Sequence, residues 1–425
     1  MAPLLWSVRV PTWLAIGWRK YMAGGRRTAK RSTGPRRIVV FRLDQLGDLV
    51  LTTPLFRELK RLYPHARCTV VVRPEYKALL TTNRNVDEIL SLRELNAKWL
   101  PARARWLASV LWFYWTELRH RHFDVAISAR WDVDESLATL LCVFTHASVR
   151  MGHSSRVSLE KHRLNRGFDA AFDMMVRPGP PQHEVEHNLA IIAMLGAKSA
   201  TSRPEIHLTE NDRKFAQELF THHDPRRTLV AVGIGGRAAG RRWPLASYAE
   251  TIARLNRERP VQPVVVCSED EDAIASKLSV ILEVPPYILS GVPLRAVCAV
   301  LEKCDLFIGN DTGTAHLAAA MDCPTLVVSR HPADGDPNHA NSPARFGPRS
   351  TRSCVLQPVT GAGDCSASCR RREVHCILQV TVDRVFAAAL QLLPRAATRQ
   401  GPPESNPPIL ERADNCQLIQ ETLPC

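Results

Sequence analysis

Short runs of apolar, often β-branched residues alternate along the chain with longer segments in which apolar residues recur every three to four positions. The short runs predict β-strands, and the longer segments predict helices with one buried face. The predicted strands cover residues 38–43, 68–72, 125–128, 228–233, 264–267, 305–308 and 325–329. The predicted helices cover residues 54–62, 99–118, 184–195, 245–257, 271–280, 313–320 and 380–393. Strands that alternate with helices in this way indicate parallel α/β sheets.

The alternation occurs twice, and a proline-containing stretch, 175–205, separates its two halves. Two successive α/β halves of similar size predict two Rossmann-like domains with a cleft between them. We therefore predict a basic, tryptophan-bearing extension, two domains and a disordered tail. Their predicted ranges are 1–36 for the extension, 37–200 and 201–394 for the domains, and 395–425 for the tail.

Composition changes this picture little. The 425 residues are 45% hydrophobic and 23% charged, an ordinary globular composition that excludes collagen, coiled coils and wholly disordered chains. No uncharged apolar stretch is long enough to span a membrane, which takes about 18 residues or more. The twelve cysteines are scattered along the chain, which favours a reducing cytoplasm over a disulfide framework.

The charge is concentrated at the start of the chain. The formal net charge of the chain is +14. Ten Lys and Arg residues precede the first acidic residue, Asp44, and contribute ten positive charges. Residues 2–18 are largely apolar and carry Trp6, Trp13 and Trp18. An apolar, Trp-bearing segment followed by a basic run suits an anionic membrane surface, although a disordered tail or a targeting peptide has the same composition. No nucleic-acid-binding motif accompanies the charge, so nucleic acid is not a predicted partner.

One candidate loop, 42–48, directly follows the first predicted strand. Active sites of open α/β sheets lie beyond the carboxyl ends of strands, which is where this loop falls. Gly47 would let the backbone turn close to a ligand. Asp48 stands near the start of the next helix, where it is either an N-terminal cap or a carboxylate that acts as a general base.

A second candidate loop, 310–316, follows strand 305–308 and opens a helix. Thr312, Gly313 and Thr314 would offer backbone N–H groups to a phosphate at the helix start. His316 lies one turn further and could donate to the same anion. The alternative is a capped helix with a buried histidine.

Two further loops follow strands of the second half. The loop 233–243 presents Arg237, Arg241 and Arg242 among glycines, which suits either phosphate binding or a solvated basic turn. The acidic run 268–272 could bind ribose hydroxyls or form a negatively charged helix N-terminus, and the pattern does not choose among its carboxylates.

Three remaining features carry weaker predictions. The segment 130–134 follows strand 125–128 and is either an acceptor contact or a surface turn. His183 and His187 have the spacing of a zinc pair on a helix, but no third ligand is evident. A cysteine cluster could bind zinc or iron, but we interpret it as free thiols and predict no metal. The cluster consists of Cys365, Cys369 and Cys376, with Cys354 upstream.

Taken in order, four segments resemble glycosyltransferase family 9, the ADP-heptose:lipopolysaccharide heptosyltransferases. The family's first strand, G-D loop and T-P helix are similar to RIVVFRLDQLGDLVLTTPLFRELKRLYPHA. The family's middle helix is similar to HEVEHNLAIIAMLGA. The family's basic loop, which ends in Trp-Pro, is similar to GGRAAGRRWPLASYAE. The family's D-[ST]-G-x-x-H-x-A-x-A signature is similar to CDLFIGNDTGTAHLAAAMDCPTLVVS. The resemblance covers roughly residues 37–390.

The resemblance implies a GT-B fold with the acceptor on the first domain, the nucleotide sugar on the second, and inverting transfer without metal or cofactor. It makes Asp48 the catalytic base. The candidate donor-binding residues are Arg241, Asp311, Thr312, Gly313 and His316, together with Glu271 from the acidic run. The candidate acceptor-binding residues are Arg42, Asp44, Gln45, Gly47 and Arg130.

The chain departs from the family pattern in four places. Arg241 stands where the family usually has Lys, and Asp44-Gln45 stand where it more often has Ser-Ser. Thr314 replaces the usual small residue or Pro, and the extension over 1–36 is unusual. These departures affect the expected donor and acceptor rather than the reaction class.

The function that the resemblance implies is transfer of a heptose from ADP-heptose to a lipid-linked acceptor of the lipopolysaccharide-core type. The expected setting is the cytoplasm, with the anionic inner-membrane surface as a candidate partner. A family member acting on a protein or O-antigen acceptor with another nucleotide sugar is the alternative within enzymes. A catalytically silent, sugar-nucleotide-binding scaffold is the alternative from another class.

Overall fold

The computed structural model describes residues 34–97, 99–197, 201–236, 239–361 and 375–393. Almost all of the predicted extension and the whole predicted tail lie outside these residues. So do Arg237, Cys365 and Cys369. The chain divides into two compact units, with the boundary between Ser202 and Arg203.

The first unit is built on a six-stranded sheet in which every neighbouring pair is parallel. Its strands are β1 (Arg37–Phe41), β2 (Arg67–Val72), β3 (Glu88–Ser91), β4 (Val125–Ser128), β5 (Val149–His153) and β6 (Met174–Val176). Its helices are α1 (Leu46–Val50), α2 (Thr53–Leu62), α3 (Ala102–Phe113), α4 (Ala138–Phe144), α5 (Leu159–Leu164) and α6 (Glu184–Ala193). A π-helical turn, Tyr114–Leu118, extends α3.

After its exposed first residue, Arg37, strand β1 is wholly apolar because both faces of the sheet are covered by helices. Its residues Ile38 and Val40 pack in one core with α2 and α6. Val39 and Phe41 point to the other face and pack in a second core with α3 and α4. Each such side chain contributes about 1.5–3 kcal/mol by leaving water.

The second unit repeats this architecture with a second parallel six-stranded sheet. Its strands are β7 (Thr228–Gly233), β8 (Val261–Cys267), β9 (Tyr287–Ser290), β10 (Leu306–Asn310), β11 (Thr325–Val328) and β12 (Ser353–Leu356). Its helices are α7 (Glu210–Leu219), α8 (Leu245–Glu258), α9 (Asp272–Ile281), α10 (Leu294–Lys303), α11 (Gly313–Ala320), α12 (Pro343–Phe346) and α13 (Val382–Leu392).

Close packing at the centre of this sheet requires glycine at two positions. The ring of Phe307 on β10 lies against the backbone of Gly233 and of Gly309. A Cβ atom added at Gly233 would lie 2.5 Å from Phe307 Cζ, and one added at Gly309 would lie 2.6 Å from it. The glycines therefore let an aromatic ring fill the space at the ends of β7 and β10.

The order of the strands indicates where a ligand would bind on the sheet of each unit. The first sheet runs β3-β2-β1-β4-β5-β6, and the second runs β12-β11-β10-β7-β8-β9. Both are the doubly wound Rossmann order, in which the chain reverses direction across the sheet after its third strand. The points of reversal lie between β1 and β4 and between β7 and β10. Ligands of such sheets bind beyond the carboxyl ends of the strands at these points.

The prediction of parallel α/β sheets is confirmed, and all seven predicted strands and all seven predicted helices are present with ends that shift by up to three residues. The predictions missed β3, β5, β6, β9 and β12, and also α1, α4, α5, α7, α10 and α12. Four of the missed strands are the sheet edges. None of the described helices is both long and apolar enough to cross a membrane.

Candidate active site

The first candidate loop lies at the switch point of the first sheet. Strand β1 pairs with β4 in parallel, so the loop 42–48 and the segment 129–134 leave the same edge side by side. Polar residues from both loops meet at this edge. Together with Glu184 at the start of α6, they form a cluster that is named the acceptor-side cluster after its predicted role and consists of Arg42, Asp44, Asp48, Arg130 and Glu184.

Arg42 is the buried centre of the acceptor-side cluster, with its side chain fully excluded from solvent. Its Nη1 donates to the carbonyl of Ala129 at 2.7 Å, and its Nε donates to the carbonyl of Asp48 at 3.2 Å. Its Nη2 donates both to Asp48 Oδ1 at 3.2 Å and to Glu184 Oε1 at 3.0 Å. Arg42, predicted as an acceptor contact, therefore lies beneath the surface and orients the residues around it.

The geometry of Asp48 includes the predicted helix cap, and its role as a general base stays a prediction. Its Oδ2 accepts a hydrogen bond from the backbone N–H of Gln45 at 3.0 Å, which caps helix α1. Its Oδ1 accepts from Arg42 and lies 3.6 Å from Arg130 Nη1. Gly47 is the second residue of α1. The cap and the two guanidinium groups therefore hold the carboxylate in one orientation beside the sheet edge, where 7% of the residue remains exposed.

Asp44 places a second carboxylate in the same cluster. It lies 3.4 Å from Arg130 Nη1 and 3.4 Å from Arg42 Nη1. Burial raises the pKa of Asp44 above its ordinary value, although Arg130 and Arg42 act in the opposite direction. The structure thus brings together three of the five predicted acceptor residues, while Gln45 takes part through its backbone.

Glu184 is the member of this cluster that the sequence did not indicate as a functional residue. It is fully buried at the start of α6 and reaches Arg42 from 142 residues away along the chain. In the sequence, the one indication that Glu184 belongs to the site is its place in the segment HEVEH, where it is the first acidic residue. Its carboxylate offsets the charge of Arg42, because a buried cation needs a partner.

His183 and His187, which have the spacing of a zinc pair, make other contacts in the structure. His183 Nδ1 accepts from the backbone N–H of Val185 at 3.2 Å and caps α6. His187 stacks on Trp131, with ring centroids 4.7 Å apart. Among the described residues, no group of three or more His, Cys, Asp or Glu side chains is arranged to hold a metal ion. Of the cysteine cluster, Cys376 keeps its thiol but Cys354 is disulfide-bonded, so the interpretation of free thiols is wrong for Cys354.

Below about pH 6.5, we expect His153 to destabilise the protein. His153 is buried beside His187, and neither of its ring nitrogens has a hydrogen-bond partner among the described residues. Burial, reinforced by Lys161 and His187, holds the pKa of His153 well below its ordinary value. As the pH falls, the unfolded chain gains a proton that the folded chain does not bind. The free energy of unfolding should therefore fall by up to about 1.4 kcal/mol per pH unit.

The measurement is the melting temperature between about pH 8 and pH 5 for the wild type and for His153→Leu. The variant should lose this part of the pH dependence, because leucine does not titrate. His65→Leu, at an exposed position, is the matched control and should follow the wild type. Parallel pH profiles for the wild type and His153→Leu would contradict the prediction.

In the second unit, Asn310 ties two candidate loops together at the switch point of β7 and β10. Its amide Nδ2 donates to the carbonyls of Ile234 at 3.2 Å and Gly235 at 2.9 Å. Its Oδ1 accepts from the Trp243 backbone N–H and from the Tyr248 hydroxyl, both at 2.9 Å. All the polar atoms of this fully buried side chain are engaged, so Asn310 fixes both ends of the loop 233–243.

We expect Asn310→Ala to lower the free energy of unfolding by about 3–5 kcal/mol, because several buried polar groups lose their partner at about 1–3 kcal/mol each. Denaturant unfolding of the full chain measures this loss. The matched control is Thr251→Ala, since Thr251 is equally buried but donates only to the Ser247 carbonyl of its own helix. That control should cost about 1 kcal/mol. Equal losses for the two variants would mean that Asn310 does not hold the loops.

Arg241 and Asp311 meet at this same switch point. Arg241 Nη2 donates to the Asp311 carbonyl at 3.2 Å and lies 3.4 Å from its Oδ2. Burial raises the pKa of Asp311, and Arg241 opposes the shift. Thr312 is the extended N-cap of α11, Gly313 is its first residue, and His316 is buried one turn further on. The structure thus places these five predicted donor residues around the start of one helix.

Glu271, the sixth predicted donor residue, lies at the carboxyl end of β8. Its Oε1 accepts from the backbone N–H of Gly236 at 3.0 Å, and its Oε2 accepts from that of Ser268 at 3.1 Å. Arg242 donates to the Gly236 carbonyl at 2.8 Å. In this structure, Glu271 and Arg242 therefore shape the glycine-rich loop, and Arg237 lies outside the described residues.

Two doubly wound units, each with its polar side chains at the switch point, define an α/β protein of the GT-B class. The family model for glycosyltransferase family 9 (heptosyltransferase) matches residues 112–331, more than half of the chain. The chain therefore belongs to glycosyltransferase family 9 and is a glycosyltransferase. The resemblance inferred from its motifs is confirmed.

The individual relatives have low sequence identity to this chain, but each match covers most of the relative's length. Lipopolysaccharide heptosyltransferase 3 of Escherichia coli is 23% identical over 286 residues, which cover 66% of this chain and 80% of that protein. A crystal structure of a family 9 glycosyltransferase from Veillonella parvula has a TM-score of 0.67 at 21% identity, and the match covers 84% of this chain and 97% of that one. The E. coli heptosyltransferase WaaC with ADP-2-deoxy-2-fluoro heptose has a TM-score of 0.58 at 18% identity and coverages of 84% and 99%. These structural likenesses show the fold.

Proposed function

We propose that this glycosyltransferase moves a heptose, or a related sugar, from ADP-heptose to a lipid-linked acceptor of the lipopolysaccharide-core type. The observation that carries the proposal is the fixed orientation of Asp48 at the β1–β4 switch point, where two arginines and a helix cap hold its carboxylate. The names of the relatives support the choice of sugar, and the WaaC structure with an ADP-heptose analogue supports the choice of donor.

In the proposed reaction, the acceptor hydroxyl binds on the first predicted domain, 37–200, and Asp48 accepts its proton. The hydroxyl oxygen attacks the anomeric carbon of the donor as the bond from that carbon to the diphosphate oxygen breaks. ADP departs with the bonding electron pair. A single displacement of this kind inverts the configuration at the anomeric carbon and needs no metal.

The proposed donor site lies in the second predicted domain, 201–394. Thr312 and Gly313 start helix α11, whose free N–H groups and dipole favour a diphosphate. Arg241 would neutralise the charge that develops on the leaving group, in the place where the family usually has Lys. His316 lies one turn into the helix and would donate to the same anion. Glu271 would bind the ribose of the donor.

The remaining acceptor-side residues would recognise an anionic acceptor. Arg130 combines a partly exposed guanidinium, 20% accessible, with contacts to Asp44 and Asp48. A phosphate or carboxylate on the acceptor core would pair with it through two parallel hydrogen bonds. A lipid-linked acceptor also places the proposed working site at the cytoplasmic face of the inner membrane.

Calorimetric titration with ADP-heptose, GDP-sugars and UDP-sugars tests this proposal, comparing the wild type with His316→Ala. Tight binding of ADP-heptose that weakens in the variant is the expected result. Binding of another nucleotide sugar alone would favour a family 9 transferase with a different donor and acceptor. Binding of none would favour a catalytically silent scaffold and would overturn the proposal.

A further inference from the structure

Helix α3 is apolar on the face that packs against its sheet and also on the face that points away from it. Val110, Phe113 and Leu118 are buried in the core beside β1 and β4. The opposite face and the residue range just before the helix expose large apolar side chains. They are Trp99 (82% exposed), Leu107 (37%), Leu111 (45%), Trp112 (58%) and Trp115 (55%), and together they form the tryptophan face.

Four members of the tryptophan face follow helical spacing. Leu107, Leu111 and Trp115 are four residues apart and lie above one another on the helix, with Trp112 beside them, and Trp99 precedes the helix. A helix with large apolar side chains on opposite faces is normally covered on both, but these side chains remain exposed to solvent. Exposed apolar patches of this kind mark interaction sites, since isolated exposed side chains do not form a stripe.

The charges around the tryptophan face select an anionic partner. Residues 99–122 contain four arginines and one acidic residue, Glu117, which pairs with Arg121 at 3.7 Å. The Arg119 guanidinium lies 3.9 Å from the centroid of the Trp115 ring. Amphipathic Trp and Arg side chains together are typical of helices that lie in the headgroup region of a bilayer.

A basic cavity lies beyond the end of α3, where Arg121 and His122 contribute to its lining. It has a volume of about 210 Å³ at the amino-terminal edge of the first sheet. Its lining residues are Arg37, Arg67, Thr69, Glu88, Arg121, His122 and Phe123. Glu88 forms an ion pair with Arg121, whose Nη1 lies 2.6 Å from Glu88 Oε1. The cavity therefore keeps an excess of positive charge that suits a phosphate headgroup.

The start of α3 lies close to the acceptor-side cluster. Arg73 donates through Nε to the carbonyl of Leu43 at 2.8 Å, within the loop that carries Asp48. The same guanidinium lies 5.9 Å from the centroid of the Trp106 ring on α3. A bilayer resting on the tryptophan face would therefore lie beside the loop to which a lipid-linked acceptor must be presented.

We propose that the tryptophan face is a docking surface for an anionic phospholipid bilayer, with α3 lying along the headgroup region. This assigns membrane contact to described residues of the first unit rather than to the extension over 1–36. The proposal does not rest on the sugar-transfer reaction, because vesicle binding is measured without donor or acceptor.

The test is co-sedimentation of the full chain with vesicles of phosphatidylcholine alone or mixed with phosphatidylglycerol. The variant carries Trp99→Ser, Trp112→Ser and Trp115→Ser. The matched control carries Leu159→Ser and Val280→Ser, which remove apolar side chains that are 91% and 85% exposed elsewhere. Binding to the anionic vesicles should fall about tenfold or more in the tryptophan variant, and the control should bind like the wild type. Because the replaced side chains are exposed, the melting temperature and ADP-heptose binding should not change.

Four results would overturn the proposal. The wild type could fail to bind anionic vesicles, or the tryptophan variant could bind them as well as the wild type, which would return membrane contact to residues 1–36. Equal binding to the neutral and the anionic vesicles would remove the role of charge. A change of oligomeric state in the tryptophan variant, measured by sedimentation velocity, with vesicle binding intact would make the face a contact between copies of the chain.

Discussion

Replacing Asp48 with asparagine is expected to lower kcat for sugar transfer by about 10²–10⁴-fold while leaving donor binding nearly unchanged. Asparagine has the same shape and can still accept the hydrogen bond from the Gln45 backbone N–H, so helix α1 should keep its cap. It cannot take up the proton of the acceptor hydroxyl. The loss should therefore appear in kcat, because the base acts only in the transition state.

Asp44→Asn is the matched control for this prediction. Asp44 contacts the same two arginines, so its replacement removes a carboxylate with the same charged neighbours while leaving the proposed base in place. We expect the control to retain activity within about tenfold of the wild type, a factor worth about 1.4 kcal/mol. If Asp48→Asn kept its kcat and Asp44→Asn lost activity, the base would be Asp44, whose carboxylate lies in the same cluster. Initial rates with saturating ADP-heptose distinguish the two outcomes.

The location of the candidate site could be predicted from the sequence because it needed only local information. Where a strand leads into a polar segment such as RLDQLGD or GNDTG, the polar residues lie at the carboxyl edge of a parallel sheet. Ligands bind at that edge. The supporting contacts could not be predicted in the same way. Glu184 reaches Arg42 only because α6 packs onto the sheet beside β1, a long-range consequence of the fold that no neighbouring residue encodes.

The missed strands and the tryptophan face have related explanations. Strands such as β3 and β9 lie at the sheet edges, are four residues long and are only partly buried, so their apolar signal is weak. Helix α3 has the opposite problem, since large apolar residues occur on more than one of its faces and the pattern does not identify which side packs. Only the structure distinguishes the core face with Phe113 from the exposed face with Trp112.

The second large effect is expected for Arg241→Ala, which should lower kcat by about 10²–10³-fold. Arg241 lies against Asp311 at the start of α11 and remains 27% accessible, so its guanidinium can reach a bound diphosphate. The charge on the diphosphate grows as the bond to the sugar breaks, and a cation that meets this growing charge stabilises the transition state more than the bound substrate. The loss should therefore exceed any change in the affinity for ADP-heptose.

Arg241→Lys and Arg226→Ala complete this experiment. Lysine restores the positive charge but not the planar pair of donors, so it should recover most of the activity if charge neutralisation dominates. Arg226 is 86% exposed and pairs only with Asp224 in the described structure, so its loss controls for a change in net charge. Steady-state rates and product inhibition by ADP measure all three variants. Unchanged kcat in Arg241→Ala would remove Arg241 from the leaving-group site, and the N–H groups of α11 would then have to stabilise the diphosphate without it.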